Sequence, residues 1–126
     1  MKETERRRNG RYGEVDLVLD VARPGIKGIL RVTPSSECLD FGIAGLQFGS
    51  AEPFQQGERL VLDIRVNDVE LRELVAQVVS SQQKEDDMYC TGVRFCFELK
   101  SMQTPKISRA LLQIEDKLRV AQQYPA

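Results

Sequence analysis

The sequence of 126 residues predicts one mainly-β domain, an antiparallel barrel of six strands followed by a C-terminal α-helix. The length is that of a single domain. Apolar and polar residues alternate over most of the chain, which is typical of half-buried strands, and after Thr104 the apolar spacing changes to three and four, which is typical of a helix. We therefore divide the single domain, 1–126, into a flexible arm, 1–12, a barrel, 13–98, and a helix, 104–123.

Turn residues separate the predicted strands. Pro24-Gly25 indicates a tight turn after the first strand, and Asn67-Asp68 a short hairpin turn between the fourth and fifth. The third strand is expected to bend or break at Gly42, and a polar loop, 82–87, precedes the sixth. Short strands at regular spacing favour an antiparallel barrel. The six predicted strands span residues 14–20, 27–33, 36–48, 59–67, 70–80 and 88–98.

Alternation assigns faces to these strands. In the first strand, Val15, Leu17 and Leu19 share one face. In the fourth, the shared face holds Leu60, Leu62, Ile64 and Val66. In the sixth, Tyr89, Val93, Phe95 and Phe97 are expected to point inward, which places Arg94 on the outer side.

The helix has a clear start and one apolar stripe. Thr104 is a good N-cap and Pro105 suits the first helical position. Glu115 and Arg119 have the spacing of an i,i+4 ion pair, and Leu112 and Val120 lie off the stripe, where they mark a second, weaker contact face. The stripe is expected to pack against the barrel; it consists of Ile107, Ala110, Leu111, Ile114, Leu118 and Ala121.

The composition disfavours catalysis and metal binding. There is no histidine, so the chain lacks an imidazole base, a Ser-His or Cys-His pair and a mixed cysteine–histidine zinc site. Cys38, Cys90 and Cys96 include no CxxC and are interpreted as free thiols in a reducing compartment. We predict a protein that is not an enzyme and has no cofactor or metal.

The charge is concentrated at the N-terminus. Residues 1–11 hold five basic and two acidic side chains, a net charge of +3, and the remainder holds 13 basic and 17 acidic ones, a net charge of −4. A general nucleic-acid binder would spread its cations over a whole face, so this distribution argues against that class of protein.

No apolar run is long enough to cross a bilayer, so we expect a cytoplasmic protein with no membrane insertion.

The arginines of the arm form an RxxxR pattern, Arg7 to Arg11, with Arg8 inside it. In an extended chain the two Cα atoms would lie about 13 Å apart. A turn at Asn9-Gly10 brings the guanidiniums together, where they can fork around phosphates or stack on a purine. The alternative is a solvated basic arm.

A second pattern is Asp40-Phe41-Gly42-Ile43-Ala44-Gly45. A strand here enters a glycine-bearing turn, and Gly42 and Gly45 are expected to expose backbone N–H groups to an anion or a base. Asp40 has the chemistry to accept bonds from the N1–H and N2–H edge of guanine, or to hold an arginine. The alternative is a tight strand connection with a capping aspartate.

Taken together, these motifs resemble the PilZ domain family. RxxxR precedes the first strand, a D-x-S-x-x-G motif follows at Asp40 to Gly45, and a late strand carries Gly92-Val93-Arg94-Phe95 before the C-terminal helix. The chain departs from the family at Gly42, where the family has serine. The resemblance implies a six-stranded antiparallel barrel whose arginine arm folds over its surface to bind the bacterial second messenger cyclic di-GMP.

This resemblance implies roles for seven residues. Arg7 and Arg11 would bind phosphate and guanine with help from Arg8, and Asp40, Gly42 and Gly45 would form the barrel side. Arg94 would add charge. A missing serine hydroxyl would cost about 1.5–3 kcal/mol of binding, or about ten- to a hundredfold in affinity.

The expected partners are cyclic di-GMP and an unidentified effector protein, and a homodimer is left open. Two alternatives differ in the ligand. One is a degenerate PilZ-like adaptor for pilus or flagellar regulation that binds no nucleotide and acts through protein contacts; Gly42 favours it. The other is a small-barrel nucleic-acid binder that uses the arginine arm. An enzyme with carboxylate catalysis has no positive evidence.

Overall fold

The strands of the molecule form a closed antiparallel barrel in the order β1-β2-β3-β6-β5-β4. The computed structural model describes residues 17–24, 31–84 and 87–123, with the backbone alone for 31–37 and 120–123. The prediction of a six-stranded barrel followed by a helix is confirmed for the described residues. The elements are β1 (Leu17–Ala22), β2 (Arg31–Phe41), β3 (Gly45–Ser50), β4 (Arg59–Val66), β5 (Val69–Gln83), β6 (Tyr89–Phe95), a 3-10 turn (Lys100–Met102) and α1 (Pro105–Gln123).

The strand β2 differs from the prediction of two separate strands. It continues through Pro34, which lies between the predicted strands 27–33 and 36–48. The pairing with β1 changes register on either side of the proline, from Leu19 opposite Ser36 to Val21 opposite Thr33. A β-bulge leaves one residue out of the hydrogen bonding between the strands. Proline has no backbone N–H to donate, so it is tolerated at such a position. The interruption expected at Gly42 is confirmed, because β2 ends just before it and β3 begins just after.

The strand β6 is shorter than predicted. It ends at Phe95, and the chain then turns, with the Leu99 amide donating to the Cys96 carbonyl at 3.1 Å. The inward orientation predicted for Phe97 is wrong, since this residue lies in the turn and is 37% exposed. Its ring packs edge-on against that of Phe95, with the centroids 6.0 Å apart.

The hairpin between β4 and β5 forms at the predicted turn. Val66 pairs with Val69, so Asn67 and Asp68 are the two connecting residues. Asn67 has a φ of 54°, in the left-handed region that asparagine tolerates better than most residues.

Inward-facing side chains fill the barrel. The alternation predicted for β4 is observed, with its even-numbered apolar residues buried and its other residues half-buried or exposed. Burial of one such side chain contributes about 1.5–3 kcal/mol. The largest fully buried side chains of the strands are Leu19, Val21, Phe48, Leu60, Leu62, Ile64, Val66, Leu74 and Val78.

The helix α1 begins as predicted. The Thr104 hydroxyl accepts the Ile107 amide at 3.3 Å, which confirms the N-cap. The stripe packs into the same core as the strands, through Ala110, Leu111, Ile114 and Leu118. Leu112 lies off the stripe and is 54% exposed. The side chains of Val120 and Ala121 lie outside the described residues.

The ion pair predicted between Glu115 and Arg119 is wrong. Arg119 instead pairs with Asp116, one residue closer along the same helix. Both i,i+3 and i,i+4 spacings place side chains side by side on a helix, so the sequence offered Arg119 two acidic neighbours.

The three cysteines are free thiols. Cys38 and Cys96 are buried and Cys90 is half-buried. Burial raises the pKa of the Cys96 thiol, and the nearby Glu98 carboxylate adds to this effect. Among the described residues, no helix is long and apolar enough to span a bilayer.

Candidate functional site

The D-x-G-x-x-G motif forms the turn between β2 and β3. The Gly42 amide donates to the Gly45 carbonyl at 2.9 Å, so that Ile43 and Ala44 lie at the tip. Asp40 precedes the turn, and its Oδ1 accepts the Phe41 amide at 3.0 Å. The expectation that the Gly42 N–H is exposed to a ligand is therefore wrong, because the turn itself uses that donor.

The two glycines of the motif serve different needs. A Cβ atom on Gly45 would lie 3.0 Å from the Arg94 Cα and closer still to the Val93 carbonyl oxygen, so only glycine fits against β6. A Cβ on Gly42 would meet only the Gly45 carbonyl, at 3.8 Å, which is ordinary contact. Gly42 also does not have a positive φ. Packing thus explains Gly45, whereas the backbone does not require glycine at position 42.

A depression of about 440 Å³ lies beside this turn on the outer face of the barrel. The strand register places one row of side chains across four strands: Asp40 of β2 pairs with Gln47 of β3, Gln47 with Gly92 of β6, and Gly92 with Ser80 of β5. All four residues line the depression. We call it the motif pocket.

Gly92 lies in the middle of the motif pocket, and site prediction from the sequence missed it. A Cβ there would come within 3.3 Å of the Ser80 hydroxyl and 3.6 Å of a Val79 methyl. The missing side chain keeps this part of the pocket open. A glycine in the interior of a strand is itself a signal of close approach by a ligand or another backbone.

Apolar and polar groups share the motif pocket. Ile43 is 45% exposed and Val79 is 47% exposed, and both line it. Asp40, Gln47 and Ser80 provide acceptors and donors beside them. This combination of apolar surface and a few polar groups suits a planar heterocycle with hydrogen-bonding edges.

Arg94 lies at the edge of the motif pocket. It faces Gly45 across the β3–β6 pair and points outward, as predicted. Its guanidinium donates to both carboxylate oxygens of Glu98, at 3.2 and 3.4 Å, and to the Gln77 side-chain oxygen at 2.6 Å. The hydrogen bonds between Arg94 and Glu98 lower the pKa of Glu98 and raise that of Arg94. The positive charge of Arg94 is therefore already paired.

The structure brings four of the seven predicted site residues together. Asp40, Gly42 and Gly45 line the motif pocket and Arg94 adjoins it. Arg7, Arg8 and Arg11 lie outside the described residues. Three of the predicted barrel residues thus share one depression, and the binding roles of the barrel residues and of the arm stay predictions.

The comparisons with known proteins agree with this architecture. Among solved structures, the chain is similar to YcgR from Escherichia coli, which was crystallised in complex with c-di-GMP. The match has a TM-score of 0.57 and 18% sequence identity, and it covers 85% of this chain and 46% of that chain, so this chain spans about half the length of YcgR. The similarity shows a shared fold. No curated protein matches the sequence.

The family comparison covers both sequence motifs. The model of the PilZ domain matches residues 5–113, a segment that includes the RxxxR pattern, the turn between β2 and β3, and all six strands of the barrel. The resemblance inferred from the motifs is thereby confirmed: the chain belongs to the PilZ domain family.

Proposed function

We propose that this chain is a non-enzymatic receptor for cyclic di-GMP. The nucleotide binds between the arginine arm and the motif pocket, and the bound state is passed to an effector protein. The observation that carries the proposal is the motif pocket itself. In a chain of the PilZ family, the D-x-G-x-x-G turn opens onto a depression that holds Asp40 and has the size and chemistry for a base.

The division of labour follows from the groups available. Asp40 accepts the N1–H and N2–H donors of guanine, while the faces of the base lie near Ile43 and Val79 over the open position at Gly92. The phosphates need cations, and Arg7 and Arg11 supply forked guanidiniums with two parallel donors each. Arg8 assists from the same segment.

The proposal assigns no catalytic step. The sequence offers no histidine as a base or nucleophile partner, and binding energy alone serves a receptor. We place the receptor in the cytoplasm, because the free buried thiols of Cys38 and Cys96 suit a reducing compartment. Binding of the arm over the barrel changes the surface that an effector meets, which is the signalling step.

The adaptor alternative is supported by the turn. Gly42 lacks the hydroxyl of the family serine, and its amide is already engaged with Gly45. Both features remove donors from the site. The adaptor would keep the fold and its protein contacts without a nucleotide.

Titration calorimetry with cyclic di-GMP at one fixed salt concentration tests the proposal. The parent chain is expected to bind. Arg11→Ala should weaken binding about thirtyfold or more, since it removes a charge-assisted pair worth about 2 kcal/mol. Lys2→Ala is the matched control for a general charge effect and should change binding little.

Two results would contradict the proposal. Equal losses in Arg11→Ala and Lys2→Ala would show nonspecific electrostatics and favour the nucleic-acid alternative. Absence of binding by the parent chain would favour the adaptor.

A further inference from the structure

Two guanidiniums converge on a single carboxylate beside the motif pocket. Arg94 donates to both oxygens of Glu98, and the Arg59 Nη2 atom lies 3.8 Å from Glu98 Oε2. The Gln77 side-chain oxygen accepts a further bond from Arg94. The group of Arg59, Arg94 and Glu98, which we call the Glu98 cluster, has a net charge of +1.

The register fixes where this cluster lies. Arg59 of β4 pairs with Gln77 of β5, and Gln77 pairs with Arg94 of β6, so the three form one row across the outer face. Gly45 continues this row on β3. The neighbouring row contains Gly92 of the motif pocket, two residues along β6 from Arg94, which is a distance of about 7 Å. The Cα atom of Arg94 is therefore close enough to Gly92 for an arginine side chain to span the distance to the motif pocket.

The carboxylate in the middle of the cluster is exchangeable. Glu98 follows the end of β6 in an exposed turn and is held by no strand pairing. The side chains of Arg94, Arg59 and Glu98 are 46%, 46% and 49% exposed, and ion pairs so open to water contribute little to stability. A phosphate presents the same pair of oxygens to a guanidinium fork and carries a full charge of its own.

We propose that Arg94 and Arg59 form an anion site that Glu98 closes from within, and that a phosphate group of the bound nucleotide takes this site by displacing the carboxylate. The inference rests on the proposed function and adds two residues, Arg59 and Glu98, to the site. Glu98 acts as an internal competitor that sets the affinity. Displacement frees a local charge of +2 for the phosphate.

Calorimetry with cyclic di-GMP tests the competition. Glu98→Gln keeps the shape of the side chain and removes its charge, so it should tighten binding about three- to tenfold. The matched control is Glu70→Gln, which makes the same charge change in another exposed pair, that of Glu70 with Arg72 at 3.0 Å, and should leave affinity unchanged. Arg94→Ala should weaken binding, and in that background Glu98→Gln should tighten binding less than in the parent, because Arg59 is then the only arginine of the cluster left for Glu98 to pair with.

A second measurement separates this inference from the proposed function. Pyrophosphate is titrated into the parent and Glu98→Gln proteins while the arginine side-chain Nε resonances are followed by NMR. The expected result is a shift of the Arg94 and Arg59 signals at lower pyrophosphate concentration in Glu98→Gln. Unmoved signals in both proteins would overturn the anion site even if cyclic di-GMP binds. Shifts of these signals without any binding of cyclic di-GMP would support the anion site and reject the proposed ligand.

Discussion

At the scale of single residues, the two motif glycines are opposites. Gly45 is fixed by the β6 backbone, which leaves no space for a Cβ atom. Gly42 has space for a Cβ and an ordinary backbone conformation, so its lack of a side chain is a chemical property of the site. A substitution at position 42 therefore tests the contribution of a side chain to ligand binding, whereas a substitution at position 45 tests the packing of β3 against β6.

Gly42→Ser is expected to fold like the parent and to bind cyclic di-GMP more tightly. The new hydroxyl restores a hydrogen bond to the ligand, worth about ten- to a hundredfold in affinity when the partner is charged. Calorimetry at fixed salt measures the gain. Binding by Gly42→Ser alone, with none by the parent, would mean that the site has decayed and that the chain acts as an adaptor.

Gly45→Ala is expected to destabilise the barrel by roughly 1–3 kcal/mol or more, because the new methyl group overlaps backbone atoms that no rotamer change can move. Urea unfolding followed by circular dichroism measures the change in the free energy of unfolding. A stability equal to that of the parent would show that β3 and β6 separate easily, contrary to the packing described.

The sequence identifies the motif glycines but not what each one does. Spacing alone predicted that Gly42 presents its amide to a ligand, whereas the turn uses that amide internally. Gly92 was missed as a site residue because its importance depends on Gln47 and Ser80, which lie on two other strands. A residue's role in a sheet depends on its cross-strand neighbours, and one sequence does not reveal the register.

At the scale of elements, local sequence patterns predict helices, turns and regular strands well, but they predict the breaks within strands poorly. The helix start at Pro105, the turn at Asn67 and the strand β4 all follow from short-range chemistry and are observed as predicted. The exception is the gap predicted between strands 27–33 and 36–48, because one strand runs through Pro34 with a bulge against β1. The bulge is a property of the pair of strands, so the pattern of one strand does not contain it.

The helix α1 provides a matched pair of substitutions. Ile114 is fully buried against the barrel, whereas Leu112 is 54% exposed on the same helix. Ile114→Ala should lower the free energy of unfolding by about 2–4 kcal/mol, through lost burial and a residual cavity. Leu112→Ala should change it by less than about 0.5 kcal/mol. Urea unfolding of both variants is the measurement, and similar losses would mean that Leu112 packs against something the barrel does not provide.

At the scale of the whole molecule, the strand order is the feature least accessible to sequence reasoning. Turn signals predict which neighbours form hairpins, such as β4 with β5. Closure of the barrel through β1 with β4 and β3 with β6 joins strands far apart in sequence. The motif pocket depends on the pairing of β3 with β6. The periodicity of the sequence does not predict this pairing, so the prediction of a binding site rested on the family resemblance.

A second long-range connection holds the end of β1 to the segment between β3 and β4. Arg23 donates to Glu58, to Glu52 at 3.5 Å and to the Pro53 carbonyl at 3.2 Å. Its guanidinium also lies 4.6 Å from the ring centre of Phe54, which is buried against Phe48. One cation thus fixes a connection of eight residues, 51–58, to the barrel.

The contacts between Arg23 and Glu58 make the stability of the protein depend on pH. Burial alone would raise the pKa of Glu58, but hydrogen bonds from the Gln55 amide and from Arg23 outweigh it and leave the pKa below the usual value of 4.5. A carboxyl whose pKa is lowered on folding stabilises the protein above its unfolded pKa, and this contribution disappears as the pH falls through the folded pKa. Stability attributable to Glu58 is therefore present at neutral pH and lost below about pH 4.5.

Glu58→Gln should lower the free energy of unfolding by about 0.5–1 kcal/mol at pH 7, a modest value because the pair is partly open to water. The difference from the parent should shrink as the pH falls below 4.5, since the parent's carboxyl then becomes neutral as well. Urea unfolding of both proteins from pH 7 to pH 3 measures this convergence. The control is Glu52→Gln, which changes a more exposed partner of the same arginine and should cost less at pH 7. A constant difference between Glu58→Gln and the parent across this range would show that Arg23 gains nothing from the charge of Glu58 and holds the 51–58 connection through Phe54 and the Pro53 carbonyl instead.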